Sequence, residues 1–398
     1  MKNILCIAAA LIGALAAPRA LAQIAIDSIG GAEITFDGFL QADANWYDSD
    51  IAELDGDPRD SDDADYKFRS AQFYLKGKGP GRFDWVIGYE GRADKWLDLN
   101  ARYKWGDWGE QFVQLGQFKQ PIGLEALSAA KRSDFMSLAM VTNTFALGRR
   151  LGVAYSFGHA YDRTSGESEG QFERQGDWGI TASYFGRELT DGLARGSGYG
   201  IRGTWALFNA EARILHFGIS YVDYDTPADT LRLRARPNAD LTSIRLVDTG
   251  RLTDTDRVTT IGAEAFWVYG AFKLQAEYMV TDIPRYRIGS QDFSGTGGYV
   301  SGLWNINGQS WRYTGGEPAL AVGPASGTGM WQVGLRYDVL DLNDNALQGG
   351  RMETVTVGVN WYWRSHFKAV FNYVVVDSER AGIEDDPNIA EARLQLHW

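Results

Sequence analysis

The chain has 398 residues, a formal net charge of −12 and a high content of glycine and aromatic residues. It contains 47 Gly, 19 Tyr, 19 Phe and 14 Trp, but only 10 Pro, 4 His and 1 Cys. The acidic balance argues against a nucleic-acid partner, because nucleic-acid binding requires a basic surface. Glycine and aromatic residues at this frequency favour many short strands over helices, so we expect an all-β protein.

Residues 1–22 have the pattern of a secretory signal peptide. Lys2 gives a positive start, residues 4–17 form an apolar core, and Ala20-Leu21-Ala22 is a small-x-small cleavage site. The apolar stretch is too short for a membrane anchor, which takes about 20 apolar residues. We therefore predict export, with residues 23–398 as the mature domain and the single cysteine removed with the signal.

The mature chain alternates apolar and polar residues in many short runs. No segment has the uninterrupted apolar length of a membrane helix, and only helices and closed barrels satisfy the backbone inside a bilayer. Alternation at period two is clear in residues 33–46, 82–92, 97–106, 329–339 and 389–398. Ten residues at about 3.3 Å each, tilted by about 45°, rise about 23 Å, close to the apolar band of an outer-membrane barrel.

A soluble β-sandwich also alternates and is the main alternative fold. Charged residues, however, recur on the second face of nearly every strand, which leaves few apolar faces for a shared core. The apolar faces also begin or end in Trp and Tyr, which suit the two interfaces of a bilayer. The pattern therefore favours a transmembrane antiparallel β-barrel.

The connections between runs give the number of strands. Short links alternate with long polar ones, and alternation of direction gives about sixteen strands, an even number as in bacterial barrels. This count requires a strand at residues 299–306 and two longer inner turns, at residues 159–175 and 308–328. Residues 120–146 then form the third outer loop, between the fifth and sixth strands.

This third loop and its borders are rich in cationic side chains. They are Lys119, Lys131, Arg132, Arg149 and Arg150. An anion that sheds part of its hydration needs donors that stay charged, and Arg offers a planar fork while Lys offers a mobile point charge. The alternative is that these are ordinary solvated charges that balance Glu125 and Asp134.

Several stretches resemble the phosphate-selective porin O and P family of Gram-negative bacteria. They are GQFKQPIGLE and FALGRRLGVAYSFG around the third loop, FRSAQFYLKGK at 68–78, GGYVSGLWNINGQSWRY at 297–313, and LRYDVLDLND with TVTVGVNWYWRSHFKAVFNYV near the end. The resemblance implies a sixteen-stranded outer-membrane porin, usually trimeric, whose third loop folds into the pore. It also implies that anions pass lysine and arginine side chains.

The family's basic positions match this chain at the same five residues. Lys119 lies in the QFK-P phrase, Lys131 and Arg132 follow the small-residue run, and Arg149 and Arg150 form the paired-arginine phrase. Alternation outward from Leu151 places Arg150 on the lumen face.

The rest of the predicted lumen wall carries charges of both signs, although a selectivity filter needs one sign to dominate a narrow zone. The mixed wall therefore leaves selectivity to the third loop. The cations are Arg102, Lys104, Arg202, Arg336, Lys273, Lys368 and Arg393, and the carboxylates are Asp37, Asp43, Asp84, Glu90, Asp98, Glu264, Glu277, Asp338 and Glu391.

Two other outer loops are strongly charged. Residues 48–65 are acidic but lack the spacing of a calcium loop, which favours a solvated loop over a cation site. The loop after Tyr224 carries Arg232, Arg234 and Arg236, which form either an anion-gathering mouth or a solvated loop with aspartate partners.

We therefore predict an outer-membrane porin for passive diffusion of small hydrophilic solutes, favouring anions such as phosphate. A weakly selective channel for sugars or organic acids is the alternative within the class, and a closed structural or adhesive barrel is the alternative outside it. The expected partners are the solutes, outer-membrane lipid and lipopolysaccharide, and two further copies in a homotrimer. The histidines lack metal-ligand spacing and no nucleophile elbow is present, so we expect no enzyme activity, cofactor or metal.

Overall fold

The computed structural model describes residues 24–29, 31–55, 64–106, 110–158, 174–190, 196–210, 212–314, 317–321, 329–345, 347–364 and 366–398. The predicted signal peptide lies outside them, as do parts of the acidic loop and of both long inner turns. Within the described residues, no helix has the length and apolar character needed to cross a membrane.

Sixteen antiparallel strands of the described residues close into one barrel, which confirms the predicted fold class and strand number. Each strand pairs with the next along the chain, and the last pairs with the first, with Leu40 opposite Leu396. A short strand, Ile24–Ile29, extends the sheet beside the start of the first strand. The barrel strands are β1 Ala32–Asp48, β2 Ala64–Lys78, β3 Phe83–Glu90, β4 Lys95–Trp105, β5 Glu110–Lys119, β6 Arg149–Gly158, β7 Arg174–Phe185, β8 Gly198–Ala210, β9 Arg213–Asp225, β10 Arg257–Tyr269, β11 Phe272–Ile283, β12 Phe293–Asn305, β13 Met330–Asp344, β14 Leu347–Trp363, β15 Phe367–Arg380 and β16 Asn388–His397.

Small elements in the loops complete the described structure. Two short helices, α1 Leu124–Leu127 and α2 Met140–Phe145, lie between β5 and β6 with a 3₁₀ turn at Ala130–Arg132. A second 3₁₀ turn, Pro227–Asp229, follows β9. The remaining pieces are short strands, namely Thr230–Leu231 with Leu252–Thr253, Arg234–Ala235 with Val247–Asp248, Trp311–Thr314 with Glu317–Ala321, and Ile383–Glu384 beside β15.

The two faces of the barrel wall have opposite polarity, with the polar face inside. In β13, the outward-facing Leu335 is 54% exposed, whereas its neighbours Arg336 and Asp338 are 1% and 0% exposed. A soluble sandwich buries its apolar face, but here the apolar face is the exposed one. Such a surface suits the hydrocarbon of a membrane.

Aromatic side chains stack at both ends of the outward face. At the inner-turn end, Trp331 and Trp361 lie with ring centroids 5.9 Å apart. At the outer-loop end, Tyr199 and Tyr221 lie 6.0 Å apart. Two rings of aromatic residues, one at each interface, are typical of outer-membrane barrels.

The outer loop after β9, residues 226–256, lies across the barrel mouth. The Thr242 hydroxyl donates to the Leu54 carbonyl at 2.5 Å, and the Lys67 ammonium donates to the Leu241 carbonyl at 3.0 Å. Since β9 and β1 are eight strands apart in a ring of sixteen, these contacts join opposite sides of the mouth. Apolar side chains of the loop itself pack on α2 and the barrel wall. Neither sequence interpretation of this arginine-rich loop predicted such packing. The buried side chains include Leu233, Ala235, Leu246, Val247 and Leu252.

The turn between β12 and β13 reaches into the lumen from the inner end. Trp311 and Tyr313 are buried against Ile214 and Phe266. The Tyr313 hydroxyl lies 2.9 Å from Nδ1 of His216 on β9. The second strand of this hairpin, Glu317–Ala321, lies against α1. The long inner turn predicted at residues 308–328 is therefore, where it is described, a packed hairpin.

Candidate functional site

Carboxylates of the barrel wall bind the first turns of both helices between β5 and β6. The Glu277 carboxylate of β11 accepts hydrogen bonds from the backbone N–H groups of Leu124 at 2.7 Å and Glu125 at 2.8 Å. The Asp338 carboxylate of β13 accepts the N–H of Met140 at 2.7 Å. These N–H groups have no partner inside a helix, so wall carboxylates satisfy them in place of a capping side chain.

Cations of the same half of the wall bind the intervening backbone. Arg336 donates to the Ser137 carbonyl at 2.9 Å, and Lys368 of β15 donates to the Ser133 carbonyl at 2.5 Å. Arg393 also donates to the Met136 carbonyl at 2.9 Å, and Lys273 binds the side-chain carboxylate of Asp134 at 2.5 Å. Much of the mixed charge on β11–β16 is therefore bonded to residues 120–148.

The same segment also contacts β1 and β16. The Lys131 ammonium donates to the Asp37 carboxylate of β1, and Gln395 donates to the Lys131 carbonyl at 2.9 Å. Glu277, which binds the start of the segment, lies on β11. Strand β1 lies six strands further round the barrel. Residues 120–148 therefore contact strands from β11 round to β1.

Two cavities lie beside strands β1–β6. The inner cavity has a volume of about 440 Å³ and lies between strands β1–β5 and residues 127–132. Among the described residues, seven cationic side chains and three carboxylates line it. The cations are Lys76, Lys78, Arg102, Lys119, Lys131, Arg132 and Arg149, and the carboxylates are Asp37, Asp84 and Asp98.

The outer cavity, about 410 Å³, lies nearer the mouth. Its described lining has five cations and two carboxylates, namely Arg69, Lys119, Arg149, Arg236 and Arg393 with Glu125 and Asp240. Gln72, Lys119, Ala130 and Arg149 line both cavities, and we call this shared boundary the neck. Positive charge thus exceeds negative charge on both sides of the neck.

Hydrogen bonds fix the two cations of the neck. Arg149 donates from Nε and Nη2 to one Asp98 oxygen, at 3.1 and 2.8 Å. The Lys119 ammonium donates to the Ser128 carbonyl. The neck is therefore formed by charged groups with defined positions, which reduces the reorganisation needed to bind an anion.

Two titratable groups of the segment respond to burial. Burial raises the pKa of the Glu125 carboxyl to about 7, although the Arg336 guanidinium and the Ala139 N–H lower it. Burial also lowers the pKa of the Lys131 ammonium below its ordinary value, and Asp37 opposes this change. The Glu125 charge on the outer cavity therefore changes near neutral pH.

The cations predicted from the sequence lie in different places, some in the neck, some in the inner cavity and some outside both cavities. Lys119 and Arg149 form the neck, and Lys131, Arg132 and Arg102 line the inner cavity. The Arg102 guanidinium lies 5.1 Å from the centre of the Phe112 ring. Lys104 lies beside the inner cavity, 2.5 Å from the lining carboxylate Asp84.

Six of the predicted lumen cations are not among the described residues that line either cavity, namely Lys104, Arg150, Arg202, Lys273, Arg336 and Lys368. Arg150 pairs with Glu188 at 2.8 Å, so Arg149 rather than Arg150 faces the cavities. Arg336 is 1% exposed and lies under the segment, and Arg202 is buried beside Glu264. Alternation identified the lumen face correctly but did not predict which lumen charges other groups cover.

Three cations that the sequence interpretation did not select also line the cavities, Lys76 and Lys78 of β2 the inner one and Arg69 the outer one. Arg236, which the sequence placed either in an anion-gathering mouth or in a solvated loop, lines the outer cavity. Lys76 and Lys78 alternate with Leu75 and Gly77, so strict alternation in β2 was the signal available for them. Arg236 depends on the loop that crosses the mouth, and no local pattern predicts that course.

Comparisons with known proteins agree with this architecture. The anion-selective porin from Comamonas acidovorans has 12% identity and a TM-score of 0.53, covering 92% of this chain and 100% of that one. A trimer form of OmpT, an outer membrane protein of Vibrio cholerae, has 10% identity and a TM-score of 0.53, covering 92% and 99%. At these identities the likeness concerns the fold alone.

A sequence relative and a family model extend the comparison. A Caulobacter vibrioides protein, described only as uncharacterized, is 28% identical over 357 residues, a match that covers 80% of this chain and 66% of that protein. This chain therefore spans slightly less than two thirds of that relative. The family model described as phosphate-selective porin O and P matches residues 40–398, nearly the whole chain. The chain belongs to the phosphate-selective porin O and P family.

Proposed function

We propose that this protein is a channel of the Gram-negative outer membrane through which small hydrophilic solutes diffuse passively, with a preference for anions. Family membership supports a channel, and the closed barrel with its apolar outer face supports a membrane location. The excess of cations in both cavities carries the preference for anions. A channel selects by charge where one sign dominates a narrow zone, and we assign that zone to the neck between the cavities.

In this proposal, residues 120–148 fold into the lumen and confine the solute path to the side of β1–β6. Hydrogen bonds to Glu277, Asp338, Arg336 and Lys368 support that position, because they tie the segment to the opposite wall. The path then runs from the mouth through the outer cavity, between Lys119 and Arg149, into the inner cavity.

The dimensions and charge pairing favour small organic anions over a strict filter for inorganic phosphate. Cavities of about 300–1,000 Å³ are typical of sites for small organic molecules, and each cavity here is about 400 Å³ or slightly more. Carboxylates also pair with lining cations, as Asp98 does with Arg149, which weakens the local positive field. The alternative of a weakly selective channel for organic acids therefore retains specific support.

We further propose that the native assembly is a homotrimer. The trimer form of the Vibrio OmpT, which shares the barrel fold, supports this state. The exposed apolar outer face offers each copy a surface for its neighbours as well as for lipid.

Ion selectivity in planar bilayers tests the channel proposal. The purified protein should give stepwise conductance, and the reversal potential in a KCl gradient should have the sign of chloride preference. Removing two neck cations in the variant Lys119→Ala/Arg149→Ala should lower the chloride-to-potassium permeability ratio by about fivefold or more, since a unit charge acts with about 1 kcal/mol at 4 Å even in water.

The matched control is Arg351→Gln, which removes a cation from an exposed pair with Glu353. It should leave the ratio unchanged. A preference of the unmodified protein for cations contradicts the proposed anion selectivity. An absence of conductance contradicts the channel and supports the alternative of a closed structural or adhesive barrel.

A further inference from the structure

The inner cavity has an apolar patch on its wall, just below the neck. Tyr74 of β2 follows Gln72 of the neck on the lumen face, and Val86 of β3 lies diagonally beside Tyr74 in the sheet. The turn on the other side of the cavity contributes Leu127 and Ala129. A molecule in this part of the cavity therefore meets apolar surface on two sides.

The aromatic ring of Tyr74 has a defined position. Its hydroxyl donates to Oε1 of Gln72 at 2.8 Å. The cross-strand partner of Tyr74 is Gly88, and a Cβ atom at that position would lie 2.5 Å from Cε1 of the ring. The ring can therefore rest on the backbone of β3 only because residue 88 is a glycine. Tyr74 is half-buried there and lines the cavity.

Arg102 of β4 supplies an ionic partner at the inner edge of the patch. It lies directly opposite Asp84, which is two residues from Val86 on β3. Asp84 pairs with Lys104 at 2.5 Å instead. The Arg102 guanidinium lies 5.1 Å from the centre of the Phe112 ring, and its Nε has no hydrogen-bond partner among the described residues. Arg102 therefore retains donor capacity for the carboxylate of a solute.

We propose that the inner cavity selects organic anions with a planar apolar part, such as aromatic carboxylates, and that Tyr74 determines this specificity. The apolar part of the solute stacks on the Tyr74 ring and contacts Val86, while its carboxylate binds Arg102. Ligand sites typically combine apolar and aromatic walls with a few placed polar groups, and aromatic pairs contribute beyond the area that they bury. This specificity rests on the proposed function of the channel and narrows the class of organic anions given there.

Block of the chloride current by two carboxylic acids tests this specificity. Benzoate and threonate have the same charge and the same number of non-hydrogen atoms, but only benzoate has an aromatic ring. Benzoate should half-block the current of the unmodified channel at a concentration at least about threefold lower than threonate. The variant Tyr74→Ala should raise the half-blocking concentration of benzoate by about two- to tenfold and leave that of threonate unchanged.

Three further variants separate the effect of the ring from other effects. Tyr74→Phe keeps the ring, so benzoate should block it as it blocks the unmodified channel. Arg102→Gln removes a charge that both acids use and should raise both half-blocking concentrations. Tyr278→Ala should change neither, because it removes a ring from the outer face of β11, where the side chain is 51% exposed.

The outcomes separate this specificity from the proposed function. Equal block of the unmodified channel by the two acids, or an equal shift for both acids in Tyr74→Ala, overturns the role of Tyr74 even where the channel prefers anions. A loss of benzoate block in Tyr74→Phe also overturns it. Failure of the unmodified channel to conduct or to prefer anions overturns the proposed function itself.

Heat-dependent gel mobility reports whether each variant forms the barrel. If Tyr74→Ala does not, Val86→Thr replaces it in the test, because this variant adds a hydroxyl to the apolar patch at nearly constant volume. It should raise the half-blocking concentration of benzoate alone. An equal effect on benzoate and threonate, or no effect on either, contradicts the proposal.

Discussion

Glu277 offers a direct test of how residues 120–148 are held. Its carboxylate accepts two backbone N–H groups at 2.7 and 2.8 Å and the Tyr299 hydroxyl at 2.7 Å. A hydrogen bond to a charged group contributes about 1.5–3 kcal/mol, so the two backbone bonds together contribute about 3–6 kcal/mol. Glu277→Ala removes both. Because each 1.4 kcal/mol is a factor of ten, the undocked population should rise by about 10²- to 10⁴-fold.

Limited trypsin digestion of the folded protein in detergent measures that population. Lys131 and Arg132 lie in the bound turn, so cleavage after either residue requires the segment to leave its site. Cleavage of a transiently opened state follows its equilibrium population when reclosing is fast. The rate of cleavage at these two positions, assigned by mass spectrometry, should therefore rise in the variant. Glu277→Gln retains one oxygen acceptor and should give a smaller increase.

Glu353→Ala is the control for a general loss of stability. Glu353 also accepts hydrogen bonds from a tyrosine and an arginine, but it lies on the exposed outer face of β14. Equal cleavage rates at Lys131 and Arg132 in the Glu277→Ala and Glu353→Ala variants would show that Glu277 does not hold the segment.

Two further predictions concern the Glu125 carboxyl and the buried ion pair of Arg393 and Asp43. The Glu125 carboxyl, with a pKa of about 7, is mostly neutral at pH 6 and mostly ionised at pH 8. The preference for anions should therefore fall as the pH rises through 7, and Glu125→Gln should abolish that change in reversal-potential measurements. Because the pKa of Glu125 is raised in the bound segment, ionisation of Glu125 above pH 7 should weaken the binding of residues 120–148 to the wall. Trypsin should then cleave the segment faster at pH 8 than at pH 6, once the rates are corrected for the pH dependence of trypsin itself. The opposite order contradicts this reasoning. Arg393→Met leaves Asp43 buried and unpaired, which should cost about 3–5 kcal/mol and lower the thermal unfolding temperature. The double variant Arg393→Met/Asp43→Asn should recover most of the loss, and no recovery would refute the role of the buried pair.

Period-two alternation was enough to predict the barrel. The polar face of β1, with Asp37 and Asp43, and the apolar face of β13, with Leu335, both lie as the sequence pattern indicates. The reason is local, because each residue of a strand points to one side of the sheet whatever the strand pairs with. The strand number also followed from the sequence, since direction must alternate at every connection of an antiparallel barrel.

Alternation did not determine which charges at the strand ends line the cavities. β6 begins at Arg149, where the chain leaves residues 120–148, and its first two side chains pair with Asp98 and Glu188. Arg149 lines both cavities, whereas Arg150, which alternation had placed on the lumen face, is not among the residues that line them. The difference depends on the partners of the two side chains, and these lie far away in the sequence.

The sequence by itself determined the barrel, its polarity and the cationic character of the third loop, because these depend on residue type and local spacing. Which lumen charges face a solute was decided only by the tertiary structure. Arg336 is covered by residues 120–148, and Arg236 reaches the outer cavity because its loop crosses the mouth. Both placements depend on contacts between residues that are far apart in the chain, and no periodic pattern records such contacts. Folding therefore decides which charges of the mixed wall bind residues 120–148, as Arg336 does, and which line the cavities, as Lys76 does.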